Sequence, residues 1–349
     1  MNFDPIFFSD PWTELLFFFI FNLILQFICI FSTDLPDEKK YKNKEILIIG
    51  GTSGLGLALA LELANENNVT VTARKELDVK FFQIKYERMD ITKEFKIEPH
   101  YDVIFIAVGF ATTKFFENLT ESDIRQEFEV NYFGALKVIK KIIEQQQKTS
   151  FKDETLTRQY QADSMGTSNT QTDQFSSQVK NCKPSEISDK AIKVMQRYTD
   201  DKVSSKISDN KSLVQRKKKD VIFVGSTLSF FHIPGYSAYS PTKTALYDFY
   251  KTVYNELSSK DIDLYFYILS STKTPGYDKE NLLKPKITKR IENLTKEENV
   301  DVRADTLLNG MRYFKTIPSD STVWIFRFLP SIVLDMASNI IYKVAYLFS

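Results

Sequence analysis

Three side chains within eighteen residues have the types and spacing for proton transfer to a carbonyl oxygen: Ser226, Tyr239 and Lys243. A phenol titrates near ~10 and exchanges protons poorly at neutral pH unless its surroundings favour the transfer. On a helix, residues four apart share a face, so Lys243 would stand beside Tyr239 and its ammonium would favour the phenolate. Ser226 follows the apolar run Val221-Ile222-Phe223-Val224 and could place its hydroxyl on the same oxygen. Tyr-x-x-x-Lys alone is a common surface pair. An apolar strand, a serine, a glycine-containing loop and that pair together form a general-acid arrangement.

Such chemistry needs a partner that holds a hydride donor, and the chain has a place for one. Glu45–Ile49 reads as an apolar strand entering Gly50-Gly51-Thr52-Ser53-Gly54-Leu55-Gly56, with a helix through Ala64. In the order strand, glycine loop, helix, this is a dinucleotide cradle: Gly50 turns the chain, Gly54 admits the pyrophosphate, and Gly56 lets helix pack on strand. Val69–Thr72 reads as the second strand and ends in Arg74-Lys75, where an NAD site would carry an acid for the ribose 2′-hydroxyl. With Thr52 and Ser53, those cations suit a 2′-phosphate, so the expected cofactor is NADPH. Only two cysteines occur and no Cys/His spacing suggests a metal.

These segments, in this order, resemble the short-chain dehydrogenase/reductase family. The resemblance implies an α/β fold with a doubly wound parallel sheet, in which Ser226, Tyr239, Lys243 and Asn131 are catalytic. Asn131, in Val130-Asn131-Tyr132, would hold a relay water; a helix-kinking core asparagine is a compatible role. Asp90 falls where the family contacts adenine, or else it caps a helix. Gly109 leaves room for the cofactor where the family usually has Asn-Asn-Ala-Gly. Thr272 and Thr274 would hold the cofactor beyond the strand Ile262–Leu269. The narrower series Thr272-x-Thr274-Pro275-Gly276-Tyr277, Glu280-Asn281, Lys284-Pro285 and Thr288 is similar to the 3-ketodihydrosphingosine reductases, from which it differs at Leu269, Ser270 and Ser271. That likeness implies NADPH-dependent reduction of 3-ketosphinganine at the cytosolic face of the endoplasmic reticulum. Other readings are a membrane-bound reductase of a steroid, retinoid or fatty-acyl ketone, and a nucleotide-binding scaffold without catalysis.

The 349 residues, with 46 Lys+Arg against 45 Asp+Glu, are near neutral, which gives no footprint for nucleic acid. Residues 1–36 contain the apolar run Leu15–Phe31 followed by Lys39, Lys40, Lys42 and Lys44. That pattern predicts a membrane anchor with the downstream domain in the cytosol. Residues 40–320 form the expected reductase domain, interrupted over 145–219 by a polar, low-complexity insertion expected to be disordered, with a short helical piece around Asp189–Tyr198. Residues 321–349 are read as an amphipathic tail suited either to a membrane interface or to covering the domain, with membrane association preferred beside an anchor and a lipid substrate. In it Val333, Met336, Ala337, Ile340, Ile341, Val344, Leu347 and Phe348 form one apolar stripe opposite Asp335, Asn339, Tyr342 and Tyr346. The expected partners are a long-chain keto-lipid and a membrane, with a homo-oligomer left open.

Overall fold

The computed structural model describes residues 41–75, 83–148, 218–295, 297–320, 323 and 331–347. The proposed anchor and most of the insertion, with its helical piece and Cys182, lie outside them, as does the 76–82 stretch between the second and third strands. Among the described residues, no helix is long and apolar enough to cross a membrane.

Seven strands form one parallel sheet: β1 (Glu45–Ile49), β2 (Asn68–Ala73), β3 (Ile84–Arg88), β4 (Val103–Ile106), β5 (Lys219–Val224), β6 (Ile262–Ile268) and β7 (Thr316–Pro318). Their order is β3-β2-β1-β4-β5-β6-β7. The order reverses between β1 and β4, and in such sheets the crevice at the strand ends beside that reversal is where ligands bind. Both faces of the sheet are covered, which is why β1 is a continuous apolar run rather than an alternating one. Leu47, Ile49, Ile104 and Ile106 pack on one side against Val138, Ile142 and Leu246. Ile46, Ile48 and Phe105 pack on the other against Leu59, Leu63, Ala304 and Leu307. Each such large side chain taken fully from water contributes about 2 kcal/mol.

The helices follow the predicted breaks. α1 (Gly54–Leu63) leaves the glycine loop. α2 (Glu121–Phe128) starts at Thr120, whose hydroxyl accepts from Asp123 N while the Asp123 carboxylate returns to Thr120 N, a reciprocal cap. A π-helical turn, Glu129–Phe133, follows and runs into α3 (134–148). α4 (Tyr239–Ser258) begins at the tyrosine itself. α5 (Pro275–Leu283), α6 (Lys286–Glu292) and α7 (Val300–Gly310) lie between β6 and β7, and α8 (Ser331–Leu347) closes the described chain.

Three boundaries differ from expectation. Residues 145–148 extend α3 and Lys219 opens β5, so both ends of the 145–219 insertion belong to the domain. Lys219 is buried, its ammonium donating to Pro99 O at 2.7 Å and also to Tyr101 O, and that anchoring makes a polar residue part of a strand. The tail helix is not one stripe against one polar face. Leu334 is 5% exposed, α8 packs on α6, and Ser338 Oγ donates to His232 O at 2.6 Å. Val333, Met336, Ile340 and Val344 remain exposed. The helix therefore covers the domain with one side and presents an apolar surface with another.

Candidate active site

The glycine loop is shaped by close contact. A Cβ on Gly56 would stand 2.2 Å from Gly50 O, so only glycine lets α1 begin against the end of β1. Gly54 has φ +52° and lies against Thr274, whose methyl would be 3.0 Å from an added Cβ. The first turn of α1 carries no acidic side chain, and Ser53 stands at its N-cap without a capping hydrogen bond. Free N–H groups at a helix start, with Thr52 and Ser53 beside them, fit a phosphate. Arg74 and Lys75 are exposed just past β2, next to β1 in the sheet, and suit a second anion there. The residues present thus fit a dinucleotide with a 2′-phosphate.

Asp90 follows β3. Thr92 donates to its carboxylate from Oγ1 at 2.7 Å and from the backbone at 3.0 Å. These bonds, the hydroxyl first, hold its pKa below the ordinary carboxylate value, and Arg74 adds to the effect. A turn rather than a helix follows, so the capping alternative is replaced by a local Asx turn beside Arg74. Thr274 caps α5, accepting from Tyr277 N at 3.0 Å, and lies against Gly54 of the glycine loop. Thr272 is different: it is buried and its hydroxyl donates to Ser270 O at 2.7 Å, so it braces the turn after β6.

Tyr239, Lys243 and Ser226 come together. Lys243 is 2% exposed, its Nζ donates to Val224 O at 3.1 Å, and it lies 5.6 Å from the Tyr239 ring centroid. A Cβ on Gly109 would be 3.8 Å from the same Nζ, which places the β4 exit beside the lysine. Ser226 heads a short 3-10 turn, its Oγ accepting from Leu228 N at 3.1 Å, and its hydroxyl also bonds the Tyr239 side chain.

Electrostatics correct one expectation. Tyr239 is raised above the ordinary phenol pKa, chiefly by burial and then by Glu280 and Glu127; the Ser226 hydroxyl is what opposes them. Burial likewise pushes Lys243 down to about 8. Burial is the largest influence on the phenol, so desolvation outweighs the predicted ammonium effect. A tyrosine that keeps its proton has the form required of a donor.

Asn131 is buried in the π-helical turn, a feature that often marks functional positions. Its amide pairs with Phe110 as a backbone would: Phe110 N donates to Oδ1 at 2.8 Å and Nδ2 donates to Phe110 O at 2.8 Å. Nδ2 also donates to Thr242 Oγ1 at 3.1 Å. The side chain ties the β4 exit to the residue before Lys243.

Several site residues carried no separate chemical signal in the sequence. Tyr236 packs 5.7 Å from Tyr239, ring centre to ring centre, and its hydroxyl donates to Glu280 and Glu292. Lys284, with a fully buried side chain, pairs with Glu280 at 3.1 Å and Glu292 at 2.6 Å. Thr288 Oγ1 donates to Pro234 O at 2.7 Å. The Glu280, Lys284 and Thr288 series therefore locks α5 and α6 onto the loop that carries Tyr239. Glu127, one turn before Asn131, is wholly buried and accepts from Thr112 N at 2.6 Å.

The short chain dehydrogenase family model matches residues 204–282, which contain Ser226, Tyr239 and Lys243. A 3-ketodihydrosphingosine reductase of Cryptococcus neoformans is 37% identical over 98 residues, 28% of this chain and 29% of that protein. This chain thus covers less than a third of the length of that relative. Longer matches are to 3-ketodihydrosphingosine reductases of Debaryomyces hansenii, 25% identical over 81% of this chain and 77% of that one, and of Dictyostelium discoideum, 22% identical over 85% and 80%. Among solved structures, a short chain dehydrogenase from Burkholderia cenocepacia in complex with NADP has TM-score 0.52 at 14% identity, covering 82% of this chain and 92% of that one. One from Sphingobium yanoikuyae with NADPH has TM-score 0.52 at 15% identity, covering 85% and 94%. At those identities the likeness establishes the fold. Taken with the glycine loop and the Ser226, Tyr239 and Lys243 set, these matches show that the chain is similar to the short-chain dehydrogenases.

Proposed function

We propose that the protein reduces 3-ketosphinganine to sphinganine with NADPH. The observation that carries this reading is that Ser226 and Lys243 meet at Tyr239 while Glu280, Lys284 and Thr288 clamp the tyrosine's own loop. That series is the one similar to the 3-ketodihydrosphingosine reductases, and the two long alignments run to proteins of that name. NADPH, when bound, supplies the hydride.

The chain's own residues act on the ketone oxygen. Ser226 Oγ and Tyr239 Oη hold it, and the buried phenol keeps its proton until negative charge develops there. Tyr239 then gives that proton to the alkoxide. Lys243, fixed by Val224 O beside Gly109, would hold the nicotinamide ribose, and Asn131 holds the β4 exit and Thr242 in place. Orientation of the ketone and stabilisation of the developing alkoxide account for most of the rate.

The same reading places the protein at the endoplasmic reticulum membrane with its catalytic domain in the cytosol. The Leu15–Phe31 run with its lysine flank and the exposed apolar side of α8 support that placement for an enzyme with a long-chain lipid substrate.

Detergent-solubilised protein given 3-ketosphinganine with NADPH should form sphinganine, and Tyr239→Phe should lower turnover roughly 100- to 10,000-fold while NADPH binding persists. Binding of NADPH without product in the wild type would overturn the substrate assignment and direct attention to steroid, retinoid and fatty-acyl ketones.

A further inference from the structure

Glu127 has a structural task that does not need its charge. Its Oε1 accepts from Thr112 N at 2.6 Å and, with Asn131 on Phe110, pins residues 110–112 to the helix. A glutamine would accept that bond equally well. The other oxygen, Oε2, is buried and has no hydrogen-bond partner among the described residues. Glu127 also makes no ion pair among them, in contrast to Glu280 and Glu292, which share Lys284 and Tyr236. A wholly buried carboxylate with an unused acceptor is costly, so a ligand group is the natural partner.

The charged and titratable groups around it locate that partner. Glu127 acts on Tyr239 and Lys243, both on α4, and it feels Glu280 from α5 and Asp123 from its own helix. Of the two carboxylates that act on the phenol, Glu280 is paired with Lys284, which leaves Glu127 as the one without an ion pair among the described residues. A neutral ketone gains little from such surroundings. A ketone whose neighbouring carbon bears an ammonium gains a charge-assisted hydrogen bond to an oxygen that otherwise has none.

We propose that Glu127 is the specificity-determining residue that receives the substrate's ammonium group, so that the site selects 2-amino ketones over uncharged ketones of equal length. The inference rests on the sphingoid reading above and names the group that reads the polar head. Glu280, bonded to Tyr236 beside Tyr239, is already paired with Lys284 and contributes less.

The test compares 3-ketosphinganine with the des-amino hydroxyketone of the same chain length, in the full-length protein with NADPH. The wild type should favour the amino ketone in kcat/KM by roughly tenfold or more, and Glu127→Gln should collapse that ratio through a higher KM for the amino ketone. Glu280→Gln should lower the ratio less. Equal wild-type activity on the two ketones would remove the ammonium site while leaving the sphingoid reaction standing. An equal loss on both ketones in Glu127→Gln would reduce Glu127 to its bond with Thr112. A wild type that reduces only the des-amino ketone, or neither, would overturn the sphingoid reading and this inference with it. Equal wild-type activity on the two ketones would overturn the proposal even if a variant folds poorly.

Discussion

The glycine-loop side of the molecule and the side around Tyr239 solve their binding problems with different materials. The first uses backbone: close approach at Gly56, positive φ at Gly54 and the open first turn of α1, with cations only at its exposed rim. The second uses buried charge. Glu127, Glu280, Glu292, Lys284 and Lys243 come from α2, α5, α6, the α5–α6 junction and α4, and all are buried or nearly so. A dinucleotide's phosphates can be met by N–H groups that any helix start supplies. A small polar head beside a ketone must be met by side chains, and in a dry site those must be paired or left for the ligand.

The contrast can be broken experimentally. Lys284→Met would leave Glu280 and Glu292 buried without their cation, and a loss of about 3–5 kcal/mol in stability is expected in denaturant melts. A change below 1 kcal/mol would mean that the network is wet and that the two sides are less different than they look.

Glu127→Gln should instead stabilise the protein, and only at higher pH. Burial raises the Glu127 carboxyl from 4.5 to about 7, so the native state holds its proton more tightly than the unfolded chain. That contribution is full below about pH 4.5 and is lost as pH rises through about 7. Thermal melts should therefore show little gain for the variant at pH 4.5 and roughly 3 kcal/mol at pH 8. Equal melts across that range would show that the carboxylate is comfortably solvated. Stability withheld at a site that discriminates ketones is the expected mark of a functional residue.

Arg74→Glu sharpens the other half. An exposed cation at a 2′-phosphate contributes less than a buried one, so the ratio of NADPH to NADH in kcat/KM should fall about tenfold, with melts unchanged. An unaltered ratio would assign the phosphate to Lys75 or to Thr52 and Ser53.

The local parts of this fold were readable because their causes are local. The apolar runs at Glu45–Ile49 and Val221–Val224, the glycine spacing and the α4 helix all follow from periodicity and backbone freedom within a few residues. Glu127 had no legible signal, since a glutamate on an amphipathic helix normally faces water. Lys284 and Glu280 were visible only as part of a resemblance, and the eight residues that separate Lys284 from Glu292 say nothing of a shared ion pair.

By itself, then, the sequence determined the sheet, the cradle and the Ser226, Tyr239 and Lys243 set, because period, glycine and helical spacing act over one or two turns. Only the tertiary structure decided that burial outweighs Lys243 at the phenol, that Asn131 pairs with Phe110 and that Glu127 holds an unused oxygen there. Desolvation and pairing depend on what segments a hundred residues apart bring to one point, and no local pattern records that.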